Sequence, residues 1–509
     1  MVVDGALTRI QRVFRHPLVD VVWLVGYLLA LVYWRDVVPD GLVNDAAEEA
    51  LRGIDLVEGR KFEVITSSLG NSAETLYLYG LGASAKLFGA TTLAVQLPSW
   101  ITALAVIWLF MRILERMDIS ARWMPPLAVV SSLWLFHYAR SGLRAISAPF
   151  FLLAFWLLLD RAERFDERRL PAVACGAALG LSIYAYTSCR VLLVVFLVYA
   201  LVRLLQSMPH SARLLRCYAF ISLGIVIVSL PNLWALLQAP GEFISRGSYV
   251  LRGGIEDKLT NLLWTFLLPF SAYRDIYREL QGPSHYFDGV SAALTSAGFT
   301  PIHPLIAVAF VGGLWRIWKT RREKTSLFVL ISWIAATLIL GIAGPSLTRM
   351  LIALPVYLAI AALGVDMFLK RLPSFAPAVA LALATLTVYQ GYAYFTRLPE
   401  SKAASFYFGP VATPMGRRAA VLLARGERVL CATLKDANVI RYLTHGHIGQ
   451  LGILEFYAPQ RQEIALEDFA GGIFLVENDQ NFASLIQLFA VNDRTVQWPR
   501  FYEIRLPEA

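Results

Sequence analysis

Residues 91–111 read TTLAVQLPSWITALAVIWLFM, an uncharged stretch that ends against Arg112 and Arg116. Crossing ~30 Å of hydrocarbon takes roughly 20 apolar residues in a helix, and this stretch is long enough. Similar runs recur near 18–35, 124–138, 146–160, 170–187, 191–206, 217–238, 303–318, 325–343, 349–369 and 373–395. They are continuous rather than alternating, which excludes a membrane barrel, whose strands alternate with a period of two. The whole composition agrees. The 509-residue chain is 57% hydrophobic and 16% charged, with a mean hydropathy of +0.56, against about 25% charged residues in soluble proteins. The chain reads as an α-helical polytopic membrane protein of about 11 transmembrane helices.

The net charge of +9 follows the topology. Arg112, Arg116 and Arg122 follow the second span, and Arg161, Arg164, Arg168 and Arg169 follow the fourth. Arg203, Arg213 and Arg216 follow the sixth, Arg316 to Lys324 the eighth, and Lys370 and Arg371 the tenth. With Arg9, Arg12 and Arg15 before the first span, every second loop is basic, and the positive-inside bias makes these loops cytoplasmic. The expected protein sits in the plasma (inner) membrane with a cytoplasmic N-terminus, retained as a first span, and an extracytoplasmic C-terminus. Orientation accounts for the basic excess, so no nucleic acid is needed as a partner. The apolar segment 259–270 is too short to span and reads as an in-plane helix.

Two outer loops are long, 36–90 and 239–302. The first carries the helical-looking run Asp45 to Arg52, with Glu48 and Glu49 expected on its solvated face. It continues into a second amphipathic stretch, 76–88, suited to the headgroup layer. From residue 396 the composition changes. Residues 396–509 balance 12 basic with 12 acidic side chains. Strands are expected at Val429–Thr433 and Gly472–Val476, with helices near 435–444 and 480–490. That is a small α/β extracytoplasmic domain, 396–509, after a transmembrane domain, 1–395. The four cysteines are widely spaced and form no zinc or disulfide pattern.

Arg140, Arg144, Arg190 and Arg349 fall at outer ends of spans, against the topology bias. Guanidinium groups there either snorkel to headgroups or bind an anionic group such as a phosphate. Four on one face favour a phosphate site. Asp45 opens a predicted helix, where an acid is either favoured by the macrodipole or acts as a general base or metal ligand. Glu74 has the same two readings, and His137 reads more simply as a packed ring. Asp436, His445 and His447 form no evident constellation in the outer domain.

The same residues fall in motifs. Gly41-Leu-Val-Asn-Asp-Ala-Ala47, Ser72-Ala-Glu-Thr-Leu-Tyr77 and Gln96-Leu-Pro-Ser99 resemble conserved stretches of the PMT-like (family 39) GT-C glycosyltransferases. So do His137-Tyr-Ala-Arg-Ser-Gly-Leu-Arg144, Gly180 to Arg190, Phe243-Ile-Ser-Arg246 and Pro345-Ser-Leu-Thr-Arg-Met350. The similarity spans about residues 15–370 and departs at Ala46, where relatives carry an acid.

The resemblance implies a GT-C fold and an inverting glycosyltransferase that takes a sugar from a polyprenyl-phosphate carrier. The acceptor is a hydroxyl of a protein, lipid or glycan at the outer face of the bilayer. It makes Asp45 the catalytic carboxylate and Arg140, Arg144, Arg190 and Arg349 the donor-phosphate ligands. Glu74, His137, Tyr184 and Arg246 would orient substrate or a divalent metal cation, the one cofactor in question. A lipid-linked-sugar flippase or a non-catalytic scaffold is the alternative, although transporters favour inverted repeats and midplane charges.

Overall fold

The computed structural model describes residues 17–59, 65–68, 71–117, 119, 132–164, 169–208, 212–238, 254–270, 299–342, 344, 346–400, 408, 410–434, 436–446, 450–455, 469, 471–478 and 495–506. Arg246, His447, the expected helix 480–490, much of the loop 239–302 and the start of the expected span 124–138 lie outside these residues.

The protein is built from helices that begin and end close to where the apolar runs do. They are α1 (Pro17–Val32), α2 (Asn44–Val57), then, after the hairpin β1 (Ile65–Ser68) and β2 (Asn71–Glu74), α3 (Leu76–Phe88) and α4 (Thr92–Arg116). There follow α5 (Leu133–Ser141), α6 (Ser147–Arg164), α7 (Arg169–Ser182), α8 (Val191–Gln206) and α9 (Ala212–Gln238). Next come α10 (Ile255–Leu267), α11 (Pro304–Lys319), α12 (Lys324–Ile342), α13 (Leu354–Arg371) and α14 (Ala376–Arg397). Counting the tight turns that lead into them, 7 described helices are long and apolar enough to cross a membrane. α1 and α7 are shorter apolar helices. The short segment 259–270 falls on α10, 13 residues long and packed along α12.

After α14 the chain forms α15 (Ala412–Leu423), β3 (Val429–Thr433), α16 (Ala437–Leu443), β4 (Leu451–Glu455), β5 (Ile473–Glu477), β6 (Thr495–Gln497) and β7 (Phe501–Arg505). The sheet order is β4-β3-β5-β7-β6, parallel across β4-β3-β5 and antiparallel beyond. Alternation along β3 and β5 divides their side chains between two cores. Val429, Cys431, Ile473 and Leu475 join the main core that runs through the spans, while Leu430, Ala432, Phe474 and Val476 form a second with Ile504.

This small domain rests on the segment after α1. Thr413 Oγ1 accepts from the Leu42 amide at 2.9 Å, Arg417 pairs with Asp36 at 2.7 Å, Arg500 pairs with Asp40, and α16 packs on α2. Burial alone would raise the Asp36 carboxyl, but the Arg417 hydrogen bond and charge outweigh it and leave it below its usual range.

Helix α2 lies against α3 at a close backbone crossing. A Cβ on Gly82 would stand 2.0 Å from the Gly53 carbonyl oxygen, so only glycine fits. The residues of 76–88 expected to meet the headgroup layer divide between a protein-packed face and an exposed one. Tyr77, Leu78 and Leu81 are buried between α2 and α4, whereas Leu76, Leu87 and Phe88 are exposed.

Candidate functional site

Three long helices begin beside one another, and each is entered through a tight turn that carries an arginine. Arg144 opens the 3-10 turn Arg144–Ile146 before α6, and Arg190 ends the turn Thr187–Arg190 before α8. Arg349 lies in the turn Leu347–Met350, which continues through Leu351–Ala353 into α13. The Arg349 turn packs against the Arg190 turn, and Leu351–Ala353 packs against Arg144–Ile146. Helix N-termini carry partial positive charge, which at this junction adds to the charge of the three guanidinium groups.

Local sequence explains the arrangement. Helix α5 stops at Gly142, whose φ of 75° is the left-handed C-cap that glycine adopts without strain. The chain reverses there and delivers Arg144 to the mouth of α6. The carbonyls of the last turn of α5 lack helical partners. Ser99 Oγ donates to Ala139 O at 2.6 Å and Gln96 Nε2 to Arg140 O at 3.1 Å, which accounts for the polar residues of Gln96-Leu-Pro-Ser99. Helix α5 in turn holds the Arg349 turn. Trp134 Nε1 donates to Leu347 O at 3.2 Å, and the Tyr138 and Thr348 hydroxyls are hydrogen-bonded. Ser346 Oγ caps the turn by accepting from Arg349 N at 3.3 Å.

The carboxylates reach this junction from the loop helices. Glu74, at the end of β2, accepts from Thr187 Oγ1 at 2.5 Å and from Arg190 Nη2 at 3.4 Å. Its other oxygen lies 3.7 Å from Arg144 Nη1. Arg144 Nε is 3.0 Å from Glu49 Oε1, and its guanidinium stands 5.8 Å from the Tyr186 ring. The result is a chain Glu49–Arg144–Glu74–Arg190, buried at one end and open at the other. The Arg144 side chain is 10% exposed and Arg190 is 40% exposed. Asp45 is exposed at the start of α2, one turn before Glu49 on the same side of the helix.

Glu49 is the residue that sequence reasoning missed. Both Glu48 and Glu49 are buried rather than solvated. On α2 the inward stripe is Ala46, Ala50, Gly53 and Ile54, and Glu49 sits at its edge, where hydropathy alone assigns it to water. Burial raises its carboxyl to about 7, against the lowering effect of Arg144 and with Asp45 and Glu48 adding to the rise.

Three other expected site residues have different work. Arg140 is 1% exposed and wraps the end of α1. It donates to Leu31 O at 2.7 Å, Tyr33 O at 2.8 Å, Trp34 O at 2.8 Å and Ala30 O at 3.1 Å, and its Nε donates to Val38 O at 2.7 Å. With its donors on carbonyls, Arg140 closes a helix terminus instead of binding a phosphate. His137 is fully buried, its Nδ1 3.0 Å from the Tyr394 hydroxyl among Tyr138 and Phe408. It is the packed ring, not an orienting group. The Tyr184 hydroxyl donates to Val228 O at 2.9 Å and accepts from Asn232 N at 3.1 Å. An unbroken helix would join those two groups directly. Tyr184 is therefore wedged into α9 next to Pro231 and helps shape it.

Among the described residues no three His, Cys, Asp or Glu side chains gather as a metal-ligating set. Glu74, the expected orienting acid, is already engaged by Thr187 and two arginines. Among the described residues, the side chains at this junction do not assemble a protein donor set for a metal.

No protein-family model matches this sequence, and no curated protein matches it. Solved structures do. ArnT from Cupriavidus metallidurans bound to undecaprenyl phosphate superposes with a TM-score of 0.58 at 14% identity, over 95% of this chain and 97% of its own. The chain has the GT-C fold. Apo ArnT gives the same TM-score of 0.58 at 13% identity over the same shares of 95% and 97%. An oligosaccharyltransferase from Archaeoglobus fulgidus is similar at a TM-score of 0.48 and 13% identity, over 86% of this chain and 64% of its own. The likeness is to the GT-C fold as a whole and does not single out the PMT-like branch that the motifs resemble.

Proposed function

We propose that the protein is an integral-membrane inverting glycosyltransferase. In this reading it moves a sugar from a polyprenyl-phosphate carrier to an acceptor hydroxyl at the outer face of the membrane. The observation that carries the reading is the meeting of three arginine-bearing turns at the N-termini of α6, α8 and α13, with carboxylates at the same junction. Such a place attracts an anion at the bilayer boundary, and a lipid phosphate is the anion found there. The GT-C fold, shared with an ArnT structure that holds undecaprenyl phosphate, supports it. In the same reading residues 1–395 are the transmembrane catalytic part and residues 396–509 an extracytoplasmic domain.

The chemistry needs one base. The acceptor oxygen attacks the anomeric carbon from the side opposite the phosphate, and its proton passes to Asp45. The carbon–oxygen bond to the phosphate breaks, and its electron pair leaves on the lipid phosphate, which gains one negative charge. Arg190 and Arg349, the more open cations, meet that charge as it develops, the electrostatic work such a site performs. Glu74 fixes Arg190 and Thr187 at the junction.

The test is transfer by the purified protein in proteoliposomes supplied with polyprenyl-phosphate sugars and a panel of peptide, lipid and glycan acceptors. Asp45→Asn is expected to abolish transfer while still binding the lipid donor. Transfer at the wild-type rate in that variant rules out Asp45 as the base. The product's anomeric configuration, opposite to the donor's, checks the single displacement.

A further inference from the structure

The Glu49–Arg144 pair is built unlike an ordinary buried salt bridge. Arg144 lies between two carboxylates, Glu49 at 3.0 Å and Glu74 at 3.7 Å, yet its Nε and Nη1 make no aligned hydrogen bond. Nor do Glu49 Oε2 and Glu74 Oε2, among the described residues. Buried polar atoms are nearly always hydrogen-bonded, and removing one ion from such a pair is costly. The Arg144 main chain still hydrogen-bonds the Glu49 carboxylate, but a guanidinium whose Nε and Nη1 lack aligned bonds has both the reason and the freedom to change partner. Its turn packs against the segment that follows the Arg349 turn, and Glu74 links it to Arg190. A second anion at the junction therefore competes with Glu49 for the same guanidinium.

We propose that Glu49 is a proton-linked positioning residue: ionised, it holds Arg144 in the wall of the site, and protonated, it releases Arg144 to a lipid phosphodiester. This deepens the transfer reading above and rests on it. The groups facing Glu49 are Arg144 from the α6 turn, Asp45 and Glu48 from its own helix, and Tyr77 from α3. The charges of Asp45 and Glu48 favour the neutral carboxyl, Tyr77 is an uncharged phenol at these pH values, and among the described residues Arg144 opposes it. Placed at about 7, the group is mostly neutral at pH 6 and mostly ionised at pH 8. The sign follows: the raised carboxyl leaves Arg144 available as pH falls through 7, and phosphodiester binding tightens in that direction. Uptake of one proton also offsets the negative charge that the diester brings into the buried site.

The probe is undecaprenyl methyl phosphate, a diester that does not titrate near neutrality, bound to the full-length protein in nanodiscs. If only the neutral-Glu49 form binds through Arg144, affinity at pH 6 exceeds that at pH 8 by about tenfold, the ratio of competent fractions. Glu49→Gln, which imitates the protonated side chain, is expected to bind as tightly at pH 8 as at pH 6. Glu49→Asp, which still titrates, is expected to keep a pH dependence. Wild-type binding that is flat between pH 6 and 8, or a Glu49→Gln variant that keeps the wild-type slope, overturns the proposal. Should Glu49→Gln fail to fold, infrared difference spectra of the wild-type protein decide. Diester binding at pH 8 is expected to produce a protonated-carboxyl band, and its absence overturns the proposal. No diester binding at any pH is a different result, because it removes the lipid-phosphate site itself.

Discussion

The two ends of the same helices treat charge in opposite ways. Where α6, α8 and α13 begin, Arg190 is left substantially open, and Nε and Nη1 of Arg144 lack aligned hydrogen bonds. Where they end, carboxylates are enclosed by cations. Asp366 on α13 is fully buried, 2.6 Å from Arg316 and 2.9 Å from Lys370. Asp160 on α6 meets Arg116 at 2.7 Å, Arg164 at 3.1 Å and Lys324 at 3.2 Å. Next to it, Glu163 accepts from the Tyr218 hydroxyl at 2.7 Å. A carboxylate ringed by cations from neighbouring helices is a staple, since its partners come from elements that must stay together. Cations gathered on tight turns, with Arg190 substantially exposed, are arranged for something that arrives. Counting arginines would have made the two ends look alike.

This contrast can be broken by experiment. Asp45→Asn should lower kcat for transfer by about 10²–10⁴-fold, the usual weight of a general base, with donor binding retained in a binding assay. Next come Arg190→Ala and Arg349→Ala, each expected to raise the donor KM by about 10- to 100-fold, as for loss of a charge-assisted hydrogen bond. An unchanged KM in both variants would remove the open end from the phosphate site. At the closed end, Asp366→Ala should destabilise without touching chemistry. Breaking a buried pair costs about 3–5 kcal/mol, and the lower end applies because Arg316 and Lys370 retain contact with water. Thermal unfolding in detergent would register the loss, while kcat per folded molecule stays at the wild-type value. The smallest effect belongs to Arg417→Ala. It removes an exposed pair with Asp36, worth under about 1 kcal/mol and weakened further by salt, so melting curves at low and high ionic strength should converge.

Particular residues show how much was legible beforehand. The helices fall on the apolar runs because long uncharged segments have few other solutions in a bilayer. Strand β3 is observed at Val429–Thr433 as expected, and β5 is one residue later than expected. Strands β4, β6 and β7 were not foreseen. They are short, and their pairing depends on neighbours far along the chain. At the site, the turns that hold Arg144, Arg190 and Arg349 carry arginines at span ends that the charge pattern of the sequence assigns to the outer side. Arg140 carried the same mark and turned out to close the end of α1. Glu49 carried no mark, because a charged residue at the edge of an apolar stripe looks solvated until the helix that covers it is known.

By itself the sequence determined the membrane class, the approximate course of the helices and the end of the molecule at which unusual cations gather. Hydrophobic run length and charge position are local quantities, and the bilayer reads them locally. Only the tertiary structure decided which cations face the open side of the site and which carboxylates are buried. Those outcomes depend on partners tens to hundreds of residues away. The Gly53–Gly82 crossing brings α2 against α3, the Gly142 cap turns Arg144 inward, and the carbonyls at the end of α1 take up the donors of Arg140. The strength of an ion depends on its surroundings, and a linear sequence does not contain them.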